Sequence, residues 1–442
     1  MHGSMRVPWI AGFLFIGAAG APAQEQRVVR ITGEDTVSPS EVSVAINPAR
    51  PENVVAVSFR RGEPASDFAH VSFDGGTTWV SVAGPNPEAR TQGDDGVVFD
   101  ASGRLYWSYL SFTGLGRDRP ESAANGIFVN HSEDGGRSWS APVPVVDHIN
   151  TVSPFEDKPY LAASDDGRVY VAWTRFSKYG SADPRDTSHI YFSLSENGGE
   201  SFAAPFRVSD EPGDAVDGDG TLEGVVPAVG VDGEVYLVWS GPQGLVFDRS
   251  TDGGWTFGED RVVGPHPGGW DLDVEGLGRG NGMPVTGVDR SDGVFRGSLY
   301  VTWADDRHGD PDVFVVSSRD GGDTWADPVR VHADPAGNGA VQFFPWMAVD
   351  PVDGSVNVVF YDRNALQGTS TRVTLVRSTD GGASFESYPV ELDPFETNPD
   401  VFFGDYIGIA ARGGRVVTTF THFTSSSDLA LSAALFHFRN ER

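Results

Sequence analysis

Cysteine is absent from the 442-residue chain, which excludes a disulfide framework, a thiolate metal site and a cysteine nucleophile. Lysine is nearly absent too: Lys158 and Lys178 are the only two, so the remaining basic residues are arginines. Positive charge is scarce overall, with 32 Lys and Arg against 62 Asp and Glu, a formal net charge of −30. Such a surface repels nucleic acid and anionic membranes, and neither is expected as a partner. Long apolar runs are also missing. The apolar stretch within the N-terminal "MHGSMRVPWIAGFLFIGAAGAPAQ" is about 10 residues long, too short to span a bilayer. Its basic start, apolar centre and small residues at Ala21 and Ala23 have the layout of a secretory signal peptide. Residues 1–23 are therefore expected to be removed, leaving 24–442 as a single domain that is secreted or periplasmic. An exported chain without disulfides needs a large core, and 39% hydrophobic content permits one.

Glycine is plentiful, and much of it recurs in one setting. The stretches "SFDGGTTW", "SEDGGRSW", "SENGGESF", "STDGGWTF", "SRDGGDTW" and "STDGGASF" begin at Ser72, Ser132, Ser195, Ser250, Ser318 and Ser378. The spacings are 60, 63, 55, 68 and 60 residues, and a period of this size marks stacked supersecondary units. Each period holds four short runs rich in Val, Tyr, Phe and Trp, bounded by Gly and Asp, which predicts four antiparallel strands. Four strands per repeat is a propeller blade. Within the turn, Asp74, Asp134, Asp252, Asp320 and Asp380 can accept backbone N–H bonds. The second glycine can adopt the positive φ that other residues resist.

These turns resemble the Asp-box, or bacterial neuraminidase repeat, of the sialidase superfamily, and the resemblance runs over essentially the whole mature chain. It implies an all-β propeller in which the boxes are structural. Sialidase catalytic domains have six blades, which leaves six as the alternative here. Seven is the number expected from this chain. After the sixth box, "GDYIGIAARGGRVVTTFTH" and "LALSAALFHF" supply three strands without a box, and "QRVVRITG" near the N-terminus is an orphan fourth. Together they would close the ring as a two-ended clasp that leaves no open sheet edge.

The boxes join third to fourth strands, so they belong on the face opposite the active mouth. Innermost strands then begin on the other face near Glu41, Asp94, Asp157, Glu223 and Asp405–Tyr406. Second strands end there at Arg60, Arg175, Arg307, Arg363 and His422. Guanidinium groups bind carboxylates through paired hydrogen bonds, and nearby acids can protonate a glycosidic oxygen. The resemblance implies a secreted exo-glycosidase for terminal anionic sugars. Asp94 or Asp157 would be the acid, Asp405 and Tyr406 the carboxylate–tyrosine nucleophile pair, and Arg175, Arg307 and Arg363 the anion cluster; Arg60, Glu41, Glu223 and His422 would line the substrate. Two alternatives stay open: a polysaccharide lyase acting on uronic acids through Tyr406 and His422, and a glycan-binding propeller without catalysis. No cofactor is expected, although Asp217 and Asp219 in "DAVDGDGTLEG" could take Ca²⁺. A carbohydrate is the expected partner, and a closed ring is expected to be a monomer.

Overall fold

The computed structural model describes residues 26–33, 38–62, 64–114 and 123–438. The expected leader and its expected cleavage site lie outside them. Seven antiparallel sheets follow one another along the chain, and each is a blade with strands ordered from the axis outward. The innermost strands are Pro39–Ile46, Thr91–Phe99, Phe155–Ala163, Ala228–Val229, Val285–Val288, Gln342–Val349 and Gly408–Arg412. Blade 7 is the composite that the orphan strand predicted. Its first three strands are Gly408–Arg412, Arg415–Phe423 and Leu429–His437, and Gln26–Arg30 pairs antiparallel with the last of these. The seven-bladed expectation therefore holds and the six-bladed alternative does not.

The six acidic turns have one geometry. In the first, Ser72 Oγ donates to Asp74 Oδ1 (2.8 Å) and accepts from Gly76 N–H (2.8 Å). Asp74 also accepts from the backbone and hydroxyl of Thr78, at 2.8 and 2.6 Å. Asn197 fills the same place in the third turn, accepting from Ser195 Oγ and Ser201 N–H. These bonds hold the carboxyls of Asp74 and Asp134 below the usual carboxylate range although partial burial opposes this.

The second glycine of each turn explains why the turn is repeated. A Cβ on Gly136 would meet Val55 and Val71 of blade 1, one on Gly254 would meet Tyr170 and Phe192 of blade 3, and one on Gly322 would meet Phe247 of blade 4. In each case the turn packs against the preceding blade. Gly76 does the same against Leu435 of blade 7, so the first turn helps close the ring. Gly322→Ala is expected to lower unfolding free energy by about 2–4 kcal/mol, from the left-handed conformation (φ 89°) and the clash of its Cβ, 2.3 Å from Phe247 Cζ, together. Gly167→Ala, at φ 84° with open space around it, should cost only about 1–2 kcal/mol. Urea denaturation of the two variants separates packing from strain.

Four second strands contribute fully buried tryptophans, Trp107, Trp173, Trp239 and Trp303, which anchor the seams between blades. No helix among the described residues is long and apolar enough to cross a membrane.

Candidate functional site

The inner strands begin with an irregularity that aims their side chains at the axis. Register shifts fall between Ser40 and Ser43, Gly93 and Gly96, Asp157 and Tyr160, and Phe343 and Trp346. Within these bulges Glu41, Asp94, Lys158 and Phe344 have φ of 54°, 56°, 48° and 50°. Left-handed conformations are unfavourable for residues with a Cβ, and such strain gathers at functional sites. In blade 4 the same place is taken by Gly224, whose φ of 74° is free of that penalty.

Three of the expected acids meet in one place. Glu41, Asp94 and Asp157 line a central cavity of about 270 Å³, together with Lys158 and Arg279. Its wall is aromatic: Phe59, Phe112, Phe155, Tyr179 and Phe402. Phe155 packs against both Phe112 (6.0 Å) and Tyr179 (5.1 Å), and Phe402 against Phe59 (5.9 Å). Apolar ring faces beside a few convergent polar groups are the usual lining of a small-ligand site.

Beneath the cavity Asp405, from blade 7, holds its two cations. Lys158 Nζ lies 2.9 Å from Asp405 Oδ2, Arg279 Nε donates to Asp405 Oδ1 at 2.7 Å, and Arg279 Nη2 also reaches Oδ2. Burial pushes the Asp405 carboxyl up, but Lys158 and Arg279 more than offset this and hold it well below the usual range. Burial likewise works against the Lys158 ammonium, and Asp405 and Asp94 overcome it and raise it. Lys158 Nζ is also 3.9 Å from Asp94 Oδ1. By contrast, no cation among the described residues is bonded to Asp157, and burial pushes it up to about 8, with Lys158 opposing and Asp94 assisting. Burial raises Glu41 too, reinforced by Asp94 and Asp405.

Other expected residues lie elsewhere. Tyr406 is 3% exposed and sits below the acids, its ring against Tyr160 (5.6 Å) and Trp346 (5.4 Å). Its hydroxyl donates to the Asp95 carbonyl at 3.4 Å, and burial raises it well above the usual phenol value. His422 is bonded to Ser432 Oγ at 2.9 Å and is lowered by burial, so Tyr406 and His422 each have a partner other than the other. Glu223 is 0% exposed, and neither of its carboxyl oxygens has a hydrogen-bond partner among the described residues.

The arginine cluster does not assemble. Arg175 Nη2 is 2.6 Å from Glu156 Oε1, and Arg307 Nη2 is 2.5 Å from Asp305 Oδ2. Arg363 bonds Thr371, Thr397 and the Glu275 carbonyl, and burial lowers its guanidinium. Arg60 lies over the Phe68 ring at 4.1 Å. None of the four lines the cavity. The physical reason is local: Glu156 and Asp305 are buried acids, and an unpaired buried carboxylate costs more than a strand-end arginine gains by reaching the mouth. Of the two residues considered for calcium, Asp217 accepts from the Tyr179 hydroxyl (2.5 Å) and Asp219 from Asp271 N–H (2.8 Å). Among the described residues no three acid or imidazole side chains converge as a metal cage.

Sequence reasoning passed over Arg279 and understated Lys158. Arg279 belongs to the long loop "DVEGLGRGNGMP", outside the repeat phase, whereas Lys158 stands at a strand start and is one of only two lysines.

No protein-family model matches the chain. Its fold is similar to that of a protein of unknown function from Dyadobacter fermentans, with 13% identity over 95% of this chain and 100% of the other, and a TM-score of 0.54. It is similar as well to the NanB sialidase of Streptococcus pneumoniae (11% identity, 94% and 95% covered, TM-score 0.51) and to an ulvan lyase, a polysaccharide lyase (12% identity, 92% and 95% covered, TM-score 0.51). The chain thus shares its β-propeller fold with these structures.

Proposed function

We propose that the chain is a glycan-active propeller, and specifically a glycoside hydrolase that takes a terminal sugar ring into the central cavity. The observation that carries this reading is the meeting of Glu41, Asp94 and Asp157 from three blades inside an aromatic wall. Asp157, protonated at neutral pH, would give its proton to the glycosidic oxygen as the bond to the anomeric carbon breaks. Asp94 would take a proton from the water that supplies the new oxygen. Asp157 would regain its proton from solvent. Tyr406 is left out of the step because it lies beneath the acids with its hydroxyl engaged.

The finer reading, an anionic sugar, rests on Arg279. Its side chain is 45% exposed, and Asp405 engages Nε and Nη2, leaving Nη1 without a partner among the described residues. A carboxylate on the sugar could bond there. The leader-like N-terminus supports export to where extracellular glycans are met.

Because the proton donor must be protonated, turnover should fall as pH rises through about 8. The test is incubation with sialosides, polyuronates and neutral glycans, with products identified by mass. Release of a saturated sugar, with that alkaline limb, supports the reading. An unsaturated uronate product would assign a lyase instead, and affinity without any product a binding protein; either result overturns hydrolysis.

A further inference from the structure

Three of the seam tryptophans end on a buried acid. Trp107 Nε1 donates to Asp95 Oδ1 at 2.5 Å, Trp173 Nε1 to Glu156 Oε2 at 2.5 Å, and Trp303 Nε1 to Asp305 Oδ2 at 2.7 Å. In blades 3 and 5 the acid is then neutralised by Arg175 and Arg307. Blade 2 departs from this arrangement. By strand register the place of Arg175, opposite Glu156, is held in blade 2 by Ser111, opposite Gln92, so no arginine stands there. Asp95 faces a second acid instead, Asp67 on the blade 1 strand Ser66–Ser72.

Asp95 is 0% exposed and Asp67 1%. Neither oxygen of Asp67 has a hydrogen-bond donor among the described residues, and the same is true of Asp95 Oδ2. The Tyr109 hydroxyl nearby is also unpartnered. Gln92 accepts from the Asp67 backbone and directs its amide N–H to Pro85, so it supplies no donor to the carboxyl. The charged groups facing the pair are Asp94 and Glu41 from the inner strands, both acids, and Arg90, whose guanidinium is taken by Asp147 and Glu88. Two buried carboxyls that act on each other, with no cation between them among the described residues, cannot both be ionised.

We propose that Asp67 and Asp95 share a single proton across the seam between blades 1 and 2, and that this proton fixes the bulge presenting Asp94 to the cavity. Asp95 follows Asp94 directly within the 93–96 bulge, and its carbonyl accepts the Tyr406 hydroxyl, so the residue is tied to three blades. Burial pushes Asp95 up to about 8 and raises Asp67 as well, the latter reinforced by Asp95 itself.

The linkage has a definite sign. The folded state keeps a proton that the unfolded chain releases near the ordinary carboxylate value of 3.8. Its contribution is full below that value and falls as pH rises above it. Asp67→Asn and Asp95→Asn each replace the shared proton with an amide hydrogen that does not titrate. Between pH 5 and 8 the folding equilibrium constant of either variant, relative to wild type, should rise by about tenfold per pH unit. Parallel stability profiles in both variants would overturn the shared proton.

The positioning half rests on the hydrolase reading and is read separately. At pH 7 Asp67→Ala should lower kcat on the order of 10- to 100-fold with KM little changed, and Asp67→Asn should restore it. Equal kcat in Asp67→Ala and wild type would overturn the positioning role. If no glycan is cleaved at all, the hydrolase reading fails while the stability comparison still decides the shared proton.

Discussion

Asp157→Asn is expected to lower kcat/KM on a cleaved glycan by roughly 10²- to 10⁴-fold without loss of folding. The amide keeps the shape of the side chain but cannot deliver a proton to the departing oxygen. The bulge should tolerate the exchange, because the Lys158 backbone N–H bonds Asp157 Oδ1 (3.2 Å), which an asparagine carbonyl reproduces. The alkaline limb near pH 8 should vanish from whatever turnover remains, since the group that titrates is gone. Arg307→Ala makes the contrast. Its guanidinium serves Asp305 rather than the cavity, so the loss should appear in stability and leave KM in place. Steady-state kinetics and urea denaturation of the two variants check both statements.

Asp405→Asn is expected to produce the largest stability loss, about 3 kcal/mol or more at neutral pH. Asp405 is the counter-charge of Lys158, which is buried, and of Arg279, which is about half exposed and adds less through solvent screening. With the charge removed, the ion pair left to Lys158 among the described residues is the more distant Asp94 at 3.9 Å. Asp405 is a group whose folded value is depressed, so its contribution is present above the unfolded value of 3.8 and disappears as pH falls below it. Wild type and variant should therefore converge in strongly acid solution. Chemical denaturation at neutral and acid pH tests this; a difference that does not shrink with acid would show that charge pairing is not its cause.

The acidic turns made the architecture legible because they are local: a serine, an acid and two glycines bond within eight residues, and their phase marks every strand after them. The same phase located Glu41, Asp94 and Asp157, which do meet in one cavity. It could not place the arginines. Arg175 and Arg307 stand at strand ends as expected, but their partners are buried acids that also receive a tryptophan N–H, and that partnership depends on how side chains pack within the blade. Arg279 was invisible for the opposite reason. It lies in a loop of 20 residues between the blade 4 strand ending at Gly264 and the blade 5 strand starting at Val285, beyond the reach of any period. The missing cation of blade 2 is visible as Ser111 standing where blade 3 has Arg175, but only once the strands are aligned by register.

The central claim is that acids at the mouth of the ring add water across a glycosidic bond. Hydrolysis in oxygen-labelled water, with the product read by mass spectrometry for wild type and Asp94→Asn, tests it most directly. The account predicts one labelled oxygen in the wild-type sugar product and almost no product from the variant. An unlabelled, unsaturated product, or full labelling at an undiminished rate in Asp94→Asn, would contradict it.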